Sequence, residues 1–213
     1  IEKIIDMFHL KIKNTHFNSP FIAASGTFGY GNEIEGAIDY SKIGCIITKS
    51  ITFEERIGNL NPRIIEAGNG MLNAIGLANV GFEQFFKNKM PSLNKLPTNY
   101  MISVVGSKKS DYQRVIEYIE NNGGNHIGYE INVSCPNVKK GGIEFGVNKE
   151  ILNDLTSNLR NLTQKLLFIK LSPNVTNIEE LALAVQNAGA DGVSAINTFI
   201  GMAIDYKTGQ FSL

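Results

Sequence analysis

The chain has 213 residues, 43% of them hydrophobic and 19% charged, which is the profile of a globular chain able to build one sizeable core. Twenty basic residues balance 20 acidic ones, and the short pairs Lys108–Lys109 and Lys139–Lys140 do not make the basic patch that a nucleic-acid partner requires. No apolar run approaches the ~18 residues needed to span a bilayer, and the opening residues 1–14 have no continuous apolar segment of the signal-peptide kind.

Short apolar runs recur along the chain, each followed by a polar loop and usually by a helical stretch. The runs predict strands near Phe21–Ala24, Gly44–Lys49, Met101–Val105, Ile127–Asn132, Leu167–Leu171 and Gly192–Ile196. They are apolar on both faces, as strands covered by helices should be. A less regular helix is expected over Gly76–Phe86, where Gly81 interrupts the pattern. A second helix carries Ser110 and Gln113 as a capping box, an apolar face of Tyr112, Val115, Ile116 and Ile119, and a Gly123–Gly124 stop. A third follows Asn148, with Ile151, Leu152, Leu155, Leu159 and Leu162 inward. A fourth has Thr176 and Glu179 as its capping box, Ile178, Leu181, Ala182 and Val185 as its stripe, and Gly189 just past its end.

Strand–helix alternation means a parallel sheet, either open and doubly wound or closed into an eight-stranded barrel. The turn after the first strand, SGTFGYG, places Gly26, Gly29 and Gly31 as GxxGxG, the wrong order for a dinucleotide-binding turn. Polar residues end nearly every strand: Ser25, Lys49–Ser50, Ser103, Asn132, Lys170 and Asn197. A ring of this kind is how a (β/α)8 TIM barrel builds its site, and the barrel is the favoured reading. Residues 1–213 read as a single domain. With only six strands visible, the expectation is a C-terminally incomplete barrel that lacks its last strands and their phosphate-binding loops, and that binds a phosphorylated cofactor poorly by itself.

The most informative segment is Asn132–Asn137, NVSCPN, at the end of the fourth predicted strand. Pro136 ends the strand, so the thiol of Cys135 falls in a loop, where it could be a nucleophile, a base, a ligand or an ordinary loop residue. No second Cys or His lies at metal-ligand spacing, so no metal is expected; His9, His16 and His126 are scattered. The other cysteine, Cys45, forms no spaced framework with Cys135, which points to free thiols and a cytoplasmic setting. Asn73, Asn132, Asn137 and Asn197 all fall in candidate site loops. They are either ordinary turn formers or a set of amides suited to a planar ligand with carboxylate and imide edges. Lys49 and Lys170 each end an apolar strand, either snorkelling outward or facing an electron-rich cofactor.

INVSCPNVKKGGIEFG, Ile131–Gly146, closely resembles the active-site loop of class 1 dihydroorotate dehydrogenases, and KKGGIEFG resembles class 1B. FIAASGTFGYG, IITKSIT, NPRIIEAGNGMLNAIGLANVGF, FIKLSPNVT and GADGVSAINTFIGMAID resemble further segments of that family, in the same order, so the likeness covers essentially the whole chain. The resemblance implies an FMN-containing barrel that oxidises dihydroorotate in pyrimidine synthesis. Cys135 would be the base. Lys49, Asn73, Asn132, Asn137, Asn197 and Thr198 would bind substrate, with backbone from Ala74 through Ile75, Gly76 and Leu77. Ser25, Lys49, Ser50, Ser103, Asn132, Lys170 and Ile196 would bind FMN. Ser103 stands where many class 1B members have asparagine. Class 1B also implies a homodimer within a heterotetramer, whose second subunit carries FAD and a [2Fe-2S] cluster and passes electrons to NAD+. Two other readings fit the residues: a related flavin barrel acting on another pyrimidine such as uracil, and a degenerate barrel that is only a structural subunit.

Overall fold

The computed structural model describes residues 10–34, 36–134 and 145–213. Ten strands are assigned among these: β1 (Leu10–Ile12), β2 (Thr15–Phe17), β3 (Ile22–Ala23), β4 (Cys45–Ile47), β5 (Ile64–Ala67), β6 (Gly70–Asn73), β7 (Asn99–Val105), β8 (Gly128–Asn132), β9 (Leu166–Lys170) and β10 (Gly192–Ser194). Helix α1 (Gly81–Gln84) runs through a π turn (Phe85–Lys89) into α2 (Met90–Leu93), followed by α3 (Lys109–Asn122), α4 (Lys149–Arg160) and α5 (Ile178–Asn187). Six strands form one all-parallel sheet in the order β10-β9-β8-β7-β4-β3. All six predicted strands are present, with no end shifted by more than two residues.

Side chains on parallel strands alternate between two faces, and the two faces here are filled differently. Outward positions Tyr100, Ile102 and Val104 on β7, Tyr129 and Ile131 on β8, and Leu167 and Ile169 on β9 pack against the helices. The helices answer with the apolar stripes expected of them: Tyr112, Val115, Ile116 and Ile119 from α3, Leu152, Leu155 and Leu159 from α4, Leu181 and Val185 from α5. Inward positions Cys45, Ile47, Met101, Leu166 and Phe168 form a second, smaller core around Phe17. Phe17 comes from the antiparallel β1–β2 hairpin, which the sequence pattern did not reveal because its strands are three residues each.

The sheet is strongly curled, and hydrogen bonds show it. Neighbouring strands lie ~4.8 Å apart, so next-but-one strands on a flat sheet are ~9.6 Å apart, too far for short side chains to meet. Yet Ser194 on β10 reaches Glu130 on β8 at 2.7 Å, and Asn132 on β8 reaches Ser50, which follows β4, at 3.4 Å. Only a concave inner face brings these pairs together. The architecture is that of an α/β barrel, with six parallel strands among the described residues and β3 and β10 at the two edges.

Two capping assignments are corrected. Helix α3 starts at Lys109, and Asp111 accepts from the backbone N–H groups of Ser107 and Lys108 at 2.9 and 3.0 Å. That carboxylate reaches donors before the helix, which Gln113 cannot, so Ser110 lies inside the first turn and caps nothing. Helix α5 is capped by Asn177, whose Oδ1 accepts from Glu180 N at 3.2 Å, one residue later than the Thr176 expected. Asn148 does cap α4, and Gly189, at φ 95°, takes the left-handed position after α5. The helix expected over Gly76–Phe86 begins only at Gly81.

The segment between β4 and β7 folds onto the C-terminal edge of the sheet through the β5–β6 hairpin and the turn after it. Asn79 is the pin. Its Oδ1 accepts from the backbone N–H groups of Thr52 (3.1 Å) and Gly81 (2.9 Å), and its Nδ2 donates to Leu77 O (2.7 Å) and Thr52 Oγ1 (2.9 Å). Asn79 is buried, and the turn it holds contains Leu77 at φ 57°, a left-handed conformation that costs a non-glycine residue ~1 kcal/mol. Replacing Asn79 by Ala leaves two buried backbone donors unmatched and releases that turn. The expected cost is about 2–3 kcal/mol, read as a lowered denaturant midpoint at unchanged slope; a midpoint equal to the parent's would contradict the role given to Asn79.

His126 is buried between Tyr100 and Tyr129, with ring centroids at 6.3 and 4.8 Å, and Glu120 Oε1 lies 3.6 Å from its Nε2. Burial, with a lesser contribution from the charge of Lys165, drives its pKa down to about 3. The imidazole is therefore neutral in the folded protein, while the unfolded chain protonates it below about pH 6.5. Between those values the unfolded state binds the extra proton, so stability falls as pH falls, by up to about 1.4 kcal/mol per pH unit. A His126→Phe variant should lose Tm less steeply than the parent between pH 6.5 and 4; parallel Tm–pH curves would remove the assignment.

Candidate active site at the strand ends

The polar residues expected at the C-terminal ends of the strands are joined by hydrogen bonds across the concave face. Ser25 follows β3, and its hydroxyl donates to Thr48 O at 2.8 Å. The Ser50 and Ser103 hydroxyls are 2.8 Å apart. Asn132 Nδ2 donates to Ser50 Oγ at 3.4 Å, and Asn197 Nδ2 donates to Asn132 Oδ1 at 3.0 Å. Thr198 N donates to Asn197 Oδ1 at 2.8 Å, which fixes the second amide in turn. Five strands, β3, β4, β7, β8 and β10, thus contribute to one polar surface.

A bulge after β4 carries Lys49 and Ser50. Thr48 N bonds to Met101 O, and Ile51 N bonds to Ser103 O, so the stretch after β4 holds one residue more than β7 between matched bonds. Thr48 Oγ1 fills the gap by accepting from Ser103 N at 3.1 Å. Lys49 N donates to Gly29 O at 2.7 Å, tying the bulge to the glycine turn after β3. Among the described residues the half-buried Lys49 ammonium has no carboxylate partner.

Lys170 ends β9, is 9% exposed, and has its Nζ 3.6 Å from Glu130 Oε1. Glu130 lies on the inward face of β8, two residues before Asn132, and is 1% exposed. Its other oxygen, Oε2, accepts from Ser194 Oγ at 2.7 Å, and Ser103 Oγ donates to Oε1 at 3.4 Å. Sequence reasoning missed Glu130, Ser194 and Asn79. The signal for Glu130 was present: a lone acid inside an otherwise apolar strand, in phase with Asn132.

Of the other predicted positions, Ser103 is fully buried, its hydroxyl taken by Ser50 and Glu130. Ile196 and Thr198 are exposed at the edge after β10. Asn73, at the end of β6, is exposed and makes no side-chain hydrogen bond among the described residues. The backbone of the adjoining turn is tied down: Asn59 Nδ2 donates to Ala74 O (2.9 Å) and Asn59 N to Ile75 O (3.1 Å). Gly76 sits at φ 72°, where an added Cβ would lie 2.8 Å from Asn59 N. Cys135 and Asn137 lie outside the described residues. The ends of the stretch that carries them are both at the rim of β8: Ser134 N donates to Asn132 Oδ1 at 3.2 Å, and Gly146 packs on Val133.

This donor set fits a flat heterocycle better than a metal. Hydroxyls and amides that both donate and accept surround two cations, and among the described residues no cluster of three His, Cys, Asp or Glu side chains could hold an ion. A flavin presents such a mixed edge of acceptors and one N–H, and gains negative charge on reduction that a nearby lysine stabilises. No helix among the described residues is long and apolar enough to cross a membrane.

Comparison with known proteins agrees with this geometry. A family model described as dihydroorotate dehydrogenase matches residues 7–212. The Bacillus pumilus protein named dihydroorotate dehydrogenase B (NAD(+)), catalytic subunit, is 43% identical over 96% of this chain and 66% of its own length. The Exiguobacterium sibiricum protein of the same name is 45% identical over 92% of this chain and 63% of its own length. The chain thus spans just under two thirds of the length of these relatives. A crystal structure of the Eimeria tenella dihydroorotate dehydrogenase with ferulenol superposes with a TM-score of 0.71 over 91% of this chain and 60% of that one, at 19% identity, which supports the fold. With the family model matching nearly all of its residues, the chain belongs to the dihydroorotate dehydrogenase family.

Proposed function

We propose that this chain is the FMN-binding α/β barrel of an NAD+-linked, class 1B dihydroorotate dehydrogenase, which oxidises (S)-dihydroorotate to orotate on the way to UMP. The observation that carries the reading is the continuous polar surface from Ser25 through Ser50, Asn132 and Asn197, flanked by Lys49 and Lys170 at the ends of neighbouring strands. It combines cations with side chains that donate and accept, as a flavin stacked against a carboxylated pyrimidine requires.

Ser25, Lys49, Ser50, Ser103, Asn132, Lys170 and Ile196 would hold FMN. Lys49, Asn73, Asn132, Asn137, Asn197 and Thr198, with backbone from Ala74 to Leu77, would hold the substrate. Bound FMN supplies a hydride acceptor at its N5. Cys135, as thiolate, takes the proton from C5 of dihydroorotate; the C5–H electron pair becomes the C5=C6 double bond as hydride leaves C6. A thiol suits this work because its ordinary pKa of ~8.5 lies close to neutrality, nearer than that of a serine hydroxyl. The asparagine amides fix the ring, and Lys49 offers its charge to flavin and substrate together. Cys45 has no part in this: it is fully buried, and burial pushes its thiol up to about 12.

The relatives' designation as a catalytic subunit supports a partner. The reading includes a second subunit with FAD and a [2Fe-2S] cluster, two copies of each chain, and a cytoplasmic location.

Two measurements on the full-length protein test it. Anaerobic dihydroorotate should bleach the flavin absorbance, and dihydrouracil should not; bleaching by dihydrouracil alone would reassign the substrate. Cys135→Ala should lower the rate of flavin reduction by about 10²- to 10⁴-fold while orotate still binds. A near-parental rate in that variant would remove the proposed base.

A further inference from the structure

Glu130 is the feature of this site that the proposed chemistry leaves unused. A carboxylate at 1% exposure is tolerated only when its oxygens are covered by donors, and all three groups that cover this one belong to the strand-end cluster: Ser103, Ser194 and Lys170. Resting on the reading of the site as a flavin–orotate site, we propose that Glu130 is a positioning residue. It anchors the Lys170 ammonium from below and sets the direction of a hydrogen-bond relay that ends on the Asn132 and Asn197 amides.

The direction follows from counting protons. A carboxylate only accepts, so the single hydroxyl proton of Ser103 is committed to Glu130 Oε1. The Ser103 oxygen must then accept, and its neighbour at 2.8 Å is the Ser50 hydroxyl, which donates to it. With that proton spent, the Ser50 oxygen accepts from Asn132 Nδ2. Ser25 does not compete, because its proton goes to Thr48 O. Asn132 Nδ2 being fixed on one side, Oδ1 faces the other and accepts from Asn197 Nδ2 and Ser134 N. The Asn197 oxygen is left for Thr198 N. The buried acid, three links below Asn132 and four below Asn197, thus orients the two serine hydroxyls in the sense that matches the amide directions held by the backbone donors Ser134 N and Thr198 N. An amide at position 130 would both donate and accept, so it could feed a proton to Ser103, turn the Ser103 and Ser50 hydroxyls around, and leave the Ser50 proton facing Asn132 Nδ2, which cannot accept it.

Lys170 is the second branch. Glu130 is its carboxylate partner among the described residues, at 3.6 Å. The pair keeps the charge balanced at the strand ends that would hold FMN, and removing the acid leaves the ammonium unopposed. Lone cations near a flavin favour its reduced, anionic form.

The test uses the full-length protein loaded with FMN. It reads the midpoint potential of the bound flavin and the dissociation constant of orotate measured from the flavin spectrum. Glu130→Gln should move the potential positive and weaken orotate about ten-fold, and Glu130→Asp, which keeps the charge, should restore the potential toward the parent's. A purely structural acid would change Tm and leave both readouts in place. Glu130→Gln with parental potential and parental orotate affinity overturns the proposal. If that variant fails to fold or keep its flavin, Ser103→Ala decides. It cuts the relay while Glu130 and Lys170 remain, and should raise the orotate constant about three-fold or more, with Ser103→Thr recovering it; unchanged affinity in Ser103→Ala overturns the proposal. A parent protein whose flavin dihydroorotate cannot reduce counts against the substrate reading, and the flavin potential of Glu130→Gln still decides the role of the acid.

Discussion

A buried carboxylate inside a curled parallel sheet is the constraint around which the inner face is arranged. Placing Glu130 at 1% exposure removes it from water, and the protein offsets that loss with two serine hydroxyls and one ammonium from three other strand segments. Those donors can converge only because the sheet is concave. The lower part of the same face is apolar, filled by Cys45, Ile47, Met101, Leu166 and Phe168 around Phe17 from the β1–β2 hairpin. The inner face is thus layered: a dry floor, a middle level built on Glu130, and an upper level of amides and lysines. The amides and lysines at the C-terminal strand ends stand on the middle level.

Local departures from regular structure aim the upper level. The extra residue after β4 brings Ser50 to Ser103 and Asn132, and Thr48 Oγ1 supplies the hydrogen bond that the displaced backbone no longer makes. On the other side of that strand, Asn79 ties the turn after β6 to Thr52 and holds Leu77 in a left-handed conformation. Strain kept in place by several converging hydrogen bonds is common where a backbone must present itself to a ligand. Here it sits in the turn that would carry substrate contacts. The bulge and the pinned turn lie next to each other, so the two sides of the mouth are registered through Thr52 and Asn79.

Much of this was legible before any coordinates. Apolar runs covered on both faces located the six parallel strands, and the polar residues ending those runs are the ones that hydrogen-bond across the concave face. The helix stripes held because a 3.6-residue period survives packing, except that Ile178, in the first turn of α5, is exposed where the stripe placed it inward. The errors were local ones. Ser110 and Thr176 carried the wrong caps because Asp111 and Asn177 were better placed to reach the free backbone N–H groups. The short hairpins β1–β2 and β5–β6 have strands of three or four residues, too short to show an alternation.

Residue types and their order along the chain were enough to determine the barrel class, the strand-end ring and the family, because each of these depends on neighbours in sequence. The partnership of Glu130 with Lys170, Ser103 and Ser194, the relay from Ser103 to Asn197, and the pin at Asn79 were decided only by tertiary structure. The residues involved are separated by 27 to 82 positions in the chain, and their contacts exist only because the sheet curls.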